Sequence, residues 1–189
     1  MWKEETTMAD LLEMLYQRRS IRKYTGASIP DELLEQVIKT GLASETSRNR
    51  RSWEFIVVRD KAMLAKMAHF RQHSALMLEG ADAAVVVLGD EEKSDVWTED
   101  CSIAMAHMHL MADQLGLGSC WIQGRQRDCE DGSMTSEAYL RELLGFPHNL
   151  RLEAVLSLGM IDEHPAPHGE KDLSWEKVHE EKWPQIFRA

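Results

Sequence analysis

The sequence has few cysteines and no long apolar run. Its three cysteines, Cys101, Cys120 and Cys129, are odd in number and show no paired CxxC spacing. They support neither a disulfide framework nor a zinc ribbon, and the default compartment for such a chain is a reducing one. No apolar stretch follows Met1, and no run approaches the roughly 18 apolar residues of a membrane span. We therefore expect a cytoplasmic protein without a membrane partner.

Positive charge is also scarce. The chain has 22 Lys and Arg residues against 32 Asp and Glu residues, a formal net charge of -10. This balance argues against duplex nucleic acid as a partner, because binding to it requires a broad basic face. The 189 residues contain no internal repeat or low-complexity tract. We expect a single domain over residues 1–189 that binds a small molecule.

The basic residues that are present concentrate in two clusters, residues 18–23 and 48–53, which hold seven of the 22. Arginine forms forked hydrogen bonds with phosphate, and Ser20 and Asn49 add polar groups suited to a phosphate ester or a heteroaromatic ring edge. The clusters predict that a small anion binds there. The alternatives are charges at an exposed helix end for the first cluster and solvated loop charges for the second.

Hydrophobic spacing predicts interleaved helices and strands. The predicted helices cover residues 8–16, 31–40, 61–71, 99–115 and 136–144, and the predicted strands cover 53–58, 83–88, 119–122 and 152–158. Helix 99–115 is apolar around nearly its whole circumference, so it must be buried on all sides, which in a domain of this size requires a second subunit. Gly116 is placed to end this helix in the left-handed conformation. The fold class is α+β or α/β.

Two familiar kinds of reactive site are not supported. His107 and His109 are two positions apart on a helix and point to different faces, which is poor geometry for a metal. Cys120 has no catalytic partner nearby in the sequence, and cysteine is often a small buried hydrophobe. We expect neither a metal site nor a covalent nucleophile.

Four sequence blocks, in order, resemble the nitroreductase family of FMN-dependent oxidoreductases in its compact form. The blocks are Gln17–Tyr24, Ser44–Val57, Gly116–Gly124 and Lys171–Trp183. The second block departs from the family pattern, since Glu45 and Ser52 stand where prolines are common and Arg51 stands where glutamine is common. Arg51 is an extra cation that would favour an acidic acceptor or a nicotinamide phosphate if it lies at the mouth of the site.

The resemblance implies a fold and an assembly. The fold is α+β, a three-layer α/β/α sandwich around a mixed, mainly antiparallel sheet with a long buried dimer helix. The assembly is a homodimer with FMN at the interface, so that the loop from Ser44 to Ser52 serves the flavin of the opposite subunit. The tail, about residues 165–189, carries Trp175, Val178 and Trp183 and is expected to wrap its own fold or the partner subunit.

The resemblance also implies the flavin contacts. The expected cofactor-binding residues are Arg18, Arg19, Ser20, Arg22, Ser47, Asn49, Cys120, Trp121, Ile122, Gln123, Gly124 and Lys171. Arg22 is expected at the N1/O2 edge of the ring, where it favours negative charge on reduced flavin. Backbone groups of Gln123 and Gly124 are expected near N5, and Lys171 at the phosphate.

The activity implied is ping-pong hydride transfer from NADH or NADPH through flavin N5 to a nitroaromatic, quinone or similar electrophile. No side chain is expected to act as acid or base, because the flavin carries the chemistry. Two alternatives keep the flavin: a different reaction such as dehalogenation or dehydrogenation, with residues 124–137 as the candidate lid, and flavin storage with little turnover. A cofactor-free structural protein is a further alternative.

Overall fold

The computed structural model describes residues 8–73 and 75–187, and its contacts divide the chain into two compact units. One unit combines helix α1 (Met8–Gln17) with the C-terminal segment from Ala166, and the other spans Arg18 to Pro165. Residues 1–7, for which we expected no export signal, lie outside the described residues.

The larger unit is an antiparallel sheet between two layers of helices. Its elements are α2 (Asp31–Leu42), β1 (Trp53–Val58), α3 (Lys61–Met67), β2 (Ala83–Asp90), α4 (Trp97–Gln114), β3 (Leu117–Gln123), α5 (Ser136–Leu144) and β4 (Leu150–Met160). The strand order is β1-β2-β4-β3. The predicted α+β sandwich is confirmed. The resemblance implied a mixed sheet, but every pairing among the described strands is antiparallel.

Strand β2 shows how the two layers arise from sequence. All eight of its residues are buried, as its continuous apolar run predicts. Ala83, Val85 and Val87 belong to the core beneath α2 and α4, while the alternate residues belong to the core beneath α3 and α5. Side chains alternate between the faces of a strand, so one short segment supplies both cores.

Helix boundaries differ slightly from the predictions. Helix α4 begins two residues early, at Trp97, and Gly116 takes the predicted left-handed conformation, with φ 73°. Helix α3 ends at Met67 rather than at Arg71, because the chain turns to place Phe70 in the core, where it is fully buried.

Helix α4 keeps one stripe that the described residues of this chain leave partly exposed. Its buried face carries Met105 and Met108, packed against the sheet and α2. Ile103 and Leu110 lie on another face, are partly exposed and belong to neither core. Burial on all sides, which the sequence predicts, is therefore incomplete in the single chain.

The smaller unit is held by α1 and by aromatic contacts within the C-terminal segment. The amide of His168 donates to the carbonyl of Tyr16 over 2.9 Å. The rings of Trp175 and Phe187 stack with centroids 6.4 Å apart. Trp183 stays 78% exposed, so the tail retains apolar surface of the kind that we expected to dock.

Candidate functional site

The first basic cluster lies along β3, at one edge of the sheet. The amide of Ile21 donates to the carbonyl of Ser119 over 2.9 Å. The same segment also packs the ring of Tyr24 against Gly159 of β4. Glycine permits this contact, because a Cβ atom at position 159 would lie 2.6 Å from the ring. Residues 18–25 therefore run beside the strand that the sequence predicts along the flavin.

Arg18 is held in place by a buried histidine of α4. Its Nη1 lies 2.8 Å from Nε2 of His109, and Nδ1 of His109 lies 2.6 Å from Oγ of Ser119. A guanidinium only donates, so Nε2 must accept and Nδ1 must carry the proton that is donated to Ser119. Burial first, and then the Arg18 charge, lowers the pKa of His109 to about 4. The ring is neutral at physiological pH and serves as a fixed acceptor.

A cavity of about 440 Å³ opens at this edge. Its lining residues are Arg22, Arg71, His73, Leu76, Met77, Cys120 and Trp121. The sequence predicted three of these as ligand contacts and missed Arg71. That residue belongs to no cationic cluster, and only the turn after α3 brings it to β3.

Two groups that line this cavity, Arg71 and Cys120, have shifted pKa values. Burial, followed by the charge of Arg127, lowers the pKa of Arg71. Burial raises the pKa of the Cys120 thiol, although Arg22 and a hydrogen bond from Ser20 oppose the shift. A raised pKa keeps the thiol protonated, which makes it a poor nucleophile.

The end of β3 is organised by one backbone carbonyl. The carbonyl oxygen of Glu153 accepts from the amides of Gly124 at 3.1 Å and Arg125 at 2.9 Å, and from Nε2 of Gln123 at 3.3 Å. The Gln123 carboxamide oxygen in turn accepts from Nε1 of Trp121 at 2.8 Å. The Gly124 amide is thus bonded within the chain, and the expected placement of Gln123 and Gly124 near flavin N5 stays a prediction.

Glu153 takes this position because it is the extra residue of a β-bulge. Val87 pairs with Ala154 and Leu88 pairs with Leu152, which leaves Glu153 without a partner on β2. Its carboxylate is buried at 4% exposure, and burial raises its pKa. Oε1 lies 3.4 Å from Oγ of Ser102, whereas Oε2 has no hydrogen-bond partner among the described residues.

The second basic cluster lies on a strained loop that leads into β1. Arg48, Asn49 and Arg51 all have left-handed backbone conformations, with φ between 48° and 55°. The loop is fastened by the buried carboxylate of Asp100 in α4, whose Oδ1 accepts from the Ser47 amide at 2.8 Å. Its Oδ2 accepts from the hydroxyl of Ser52 at 2.7 Å. Left-handed non-glycine residues cluster at functional sites.

The structure does not bring the two basic clusters together within one chain. The first lies against β3 and the second precedes β1, and these strands are the two opposite edges of the sheet. Three inter-strand spacings separate them, roughly 14 Å. One chain therefore carries two separate parts of the predicted site, with Arg22 and Cys120 in one and Ser47 and Asn49 in the other.

Two further predicted contacts, Ile122 and Lys171, lie away from the cavity lining. The side chain of Ile122 is buried in the core beneath α3 and α5, so a ligand can meet this residue only through its backbone. The expected contact between Ile122 and the flavin stays a prediction. Lys171 lies in the smaller unit, in the short helix Glu170–Asp172, and its role stays a prediction.

Among residues 8–73 and 75–187, no group of three or more His, Cys, Asp and Glu side chains is arranged to hold a metal ion. Nor is any helix there long and apolar enough to cross a membrane. The His107 ring instead lies 2.8 Å from the Ser44 hydroxyl, next to the loop that precedes β1.

Comparison with known proteins agrees with this geometry. The sequence model of the nitroreductase family matches residues 15–160. A relative from Archaeoglobus fulgidus, provisionally named NADH dehydrogenase/NAD(P)H nitroreductase, is 38% identical over 93% of this chain and 100% of its own length. An NADPH-flavin oxidoreductase of Vibrio harveyi is 27% identical over 84% of this chain and 68% of its own.

A solved structure is similar over nearly its full length. The FMN-dependent nitroreductase of Clostridium difficile R20291 superimposes with a TM-score of 0.88 and 39% sequence identity, covering 91% of this chain and 99% of that one. The family match extends from the end of α1 to the end of β4. It thus includes both basic clusters and the whole of β3. This chain belongs to the nitroreductase family.

Proposed function

We propose that this protein is an FMN-dependent NAD(P)H oxidoreductase that passes hydride to a nitroaromatic, a quinone or a similar electrophile by a ping-pong scheme. The observation that carries the proposal is the cavity at the β3 edge, where Arg22 and Arg71 lie beside Trp121. Relatives named as flavin oxidoreductases and the FMN-dependent structural neighbour support it.

The residues present fit a flavin mononucleotide. That cofactor combines a phosphate, a polar pyrimidine edge and a flat apolar ring. The cavity offers guanidinium donors at Arg22 and Arg71 and apolar contacts at Trp121. Its volume of about 440 Å³ falls in the usual range for small-molecule sites. Arg18, fixed by His109, is a cation at the same edge.

The work of the chain is electrostatic and geometric. Bound flavin supplies the hydride-accepting and hydride-donating chemistry. Arg22 and Arg71 stabilise negative charge in a site partly screened from water, where such charges act more strongly. Cys120 stays a neutral thiol, so it packs against the ligand without competing chemically.

A homodimer completes the site. The partly exposed stripe of α4 that contains Ile103 and Leu110 is covered in the proposed dimer, as the sequence pattern requires. The loop with Ser47 and Asn49 lies on the opposite sheet edge from Cys120, so we assign it to the flavin of the partner subunit. The tail from residue 165 wraps the fold or the partner, with Lys171 at the phosphate.

A cytoplasmic setting is part of the same proposal. Cys101, Cys120 and Cys129 are all free and buried, and no disulfide constrains the larger unit. Free thiols persist where glutathione and thioredoxin keep them reduced.

The proposal is tested by visible spectroscopy of the purified chain with added FMN, followed by anaerobic addition of NADH or NADPH. We expect tight flavin binding, bleaching of the flavin band by a nicotinamide cofactor, and turnover when a quinone is added. Arg71→Gln is expected to weaken FMN binding about tenfold, since one charged hydrogen bond is lost. Lys39→Gln, which removes an exposed cation from α2, serves as the matched control.

Each other outcome has a definite meaning. A chain that binds no FMN overturns the cofactor assignment and the site with it. Binding without bleaching favours the storage alternative, and bleaching without turnover on quinones or nitroaromatics favours a different flavin reaction. Light scattering of the FMN-loaded chain tests the dimer separately, and a monomer that still binds FMN would refute the shared site.

A further inference from the structure

A second cavity, of about 630 Å³, lies where the chain leaves β3 and approaches α5. It shares no lining residue with the cavity at Arg22. Gly124, Trp97, Arg125 and Arg127 form part of its wall. We call it the Arg125 cavity. The proposed flavin contacts use none of its cations.

The acids of this wall are largely engaged with another arginine. Arg151 donates from Nη1 to Glu91 at 2.8 Å and from Nε to Glu137 at 3.0 Å. Glu137 also accepts the Leu152 amide at 2.9 Å. Both carboxylates therefore have their charge and their hydrogen bonds satisfied by the protein. The remaining acid on the wall, the exposed Asp128, offsets only one of the two cations that are left.

Those two cations are Arg125 and Arg127, and neither forms an ion pair with any residue that the structure describes. Arg125 is nevertheless fixed. Its amide is bonded to the Glu153 carbonyl at 2.9 Å, and its guanidinium lies 5.8 Å from the centre of the Trp97 ring. A guanidinium stacked on an aromatic ring keeps its forked edge available for an anion.

Arg127 extends the positive charge toward the flavin cavity. Its carbonyl accepts the Ser136 amide at 2.8 Å, which fixes the backbone at the start of α5. The charge of Arg127 helps to lower the pKa of Arg71, which lines the first cavity, so the two guanidinium groups interact electrostatically. In a chain with a net charge of -10, the cations Arg22, Arg71, Arg127 and Arg125 form a local series that joins the two cavities.

We infer that the Arg125 cavity is an anion subsite, which binds a phosphate or carboxylate substituent of a substrate whose reacting end lies at Gln123 and Gly124. This inference rests on the proposed function for the identity of that substrate. Two sources share the chemistry: the 2′-phosphate of NADPH and an acidic group on the electron acceptor. Two guanidinium groups that form no ion pair with the described residues suit either, because each can donate two parallel hydrogen bonds.

Direct binding tests the cavity independently of turnover. The probes are inorganic pyrophosphate and adenosine 2′-monophosphate, titrated calorimetrically into the full chain with FMN bound. We expect Arg125→Gln and Arg127→Gln each to raise the probe Kd about tenfold, the loss of one charge-assisted contact. FMN affinity is expected to stay within twofold. Lys39→Gln removes the same charge elsewhere and is expected to change neither value.

Kinetics separates the two sources. If the anion is the 2′-phosphate, Arg127→Gln raises the KM for NADPH and leaves the KM for NADH unchanged. If the anion belongs to the acceptor, the same variant raises the KM for a carboxylated nitroaromatic relative to its uncharged amide. A wild-type chain that binds neither probe, or variants that bind both probes as tightly as wild type, overturns the inference.

The outcomes also separate this inference from the proposed function. If FMN does not bind, the proposed function fails, and pyrophosphate binding to the flavin-free chain still decides whether the cavity takes anions. If FMN binds and is bleached while the arginine variants match wild type in every probe, only the anion subsite fails. Arg127 is exposed, so its variant stays informative even if Arg125→Gln disturbs packing against Trp97.

Discussion

The two basic clusters are built in opposite ways. The segment at β3 is held by buried contacts: a backbone bond to Ser119, an aromatic ring against Gly159, and a histidine behind Arg18. The loop before β1 is exposed at Arg48, Asn49 and Arg51, and the carboxylate of Asp100 fastens it at Ser47 and Ser52.

This difference suits two different tasks. A surface that must fit a flat ring benefits from side chains that cannot move, because binding then costs little conformational entropy. A loop that reaches a partner subunit must close after the chains meet, and segments with few buried contacts open most easily. We expect damage at the β3 edge to affect the whole fold, and damage at the loop to stay local.

The largest loss of stability is expected from Gly159→Ala, which disrupts the packing of the segment beside β3. The new Cβ would lie 2.6 Å from the Tyr24 ring and 2.8 Å from its Cβ, so the segment that carries Arg22 must move. Overpacking of this kind costs about 3 kcal/mol, which corresponds to a Tm lower by roughly 9 °C. Thermal melting measures the loss, and FMN titration is expected to show weakened binding.

Gly80→Ala is the matched control for this substitution. The nearest atom to its new Cβ is 3.9 Å away and its φ is -92°, so neither a clash nor strain results. We expect its Tm to stay within about 2 °C of wild type, since exposed substitutions without a special backbone role are nearly neutral. Equal losses in the two alanine variants would show that the Tyr24 contact is not what fixes the β3 edge.

An intermediate loss of stability is expected from Asp100→Asn, which removes a hydrogen bond that holds the loop before β1. The carboxamide nitrogen cannot accept, so either the Ser47 amide or the Ser52 hydroxyl loses its acceptor. We expect a loss of about 2 kcal/mol, and faster cleavage by trypsin after Arg48, Arg50 and Arg51. Trypsin is expected to cleave after Arg18 and Arg22 at the wild-type rate, because the effect of Asp100→Asn should stay confined to the loop.

Asp95→Asn controls for the lost charge near the same loop. Asp95 is 90% exposed and pairs with Arg50 at 3.4 Å, an interaction worth less than about 1 kcal/mol. Its trypsin pattern should match that of wild type. If Asp100→Asn instead speeds cleavage at Arg22 as much as at Arg50, the two clusters are not independent.

The sequence was most informative where a pattern repeats along the chain. The continuous apolar run of β2 predicted a strand buried on both faces, and Gly116 predicted the left-handed end of α4. The four blocks identified the family and the β3 edge. These features are local in sequence, so hydrophobic period and turn chemistry are enough to read them.

The sequence was least informative where the fold joins distant residues. Arg71 reaches the cavity only because α3 ends early to bury Phe70. His109 was considered as a metal ligand, and its contact with Arg18 spans 91 positions. Asp100 was not among the predicted site residues, and its contacts with Ser47 and Ser52 span 53 and 48 positions. Ile122 was expected to contact the flavin, and the sequence did not reveal that its side chain lies in the core beneath α3 and α5, which leaves only its backbone for such a contact.

The smallest effect on stability is expected from the protonation of His109. It makes the stability of the first basic cluster, but not that of the loop before β1, depend on pH. The pKa of His109 is lowered to about 4, so its stabilising contribution is complete above the ordinary value near 6.5 and is lost as pH falls toward 4. Between pH 7 and 5.5 we expect a loss of about 1 kcal/mol, or roughly 3 °C in Tm.

His109→Gln tests this assignment, because a carboxamide can accept from Arg18 and donate to Ser119 but does not titrate over this range. The variant is expected to lose less Tm than wild type between pH 7 and 5.5, by that same 3 °C. A second histidine lies close enough to need a control. The other charged groups near the His109 ring are Arg18 and Asp113, and Asp113 pairs with His164. His164→Gln therefore accompanies the measurement. The pKa of His164 is raised by its bond to Asp113, so protonation of His164 strengthens that pair as pH falls and opposes the loss that comes from His109. His164→Gln is therefore expected to lose at least as much Tm as wild type between pH 7 and 5.5. A wild-type loss that persists in His109→Gln would place the pH-sensitive group outside the β3 edge.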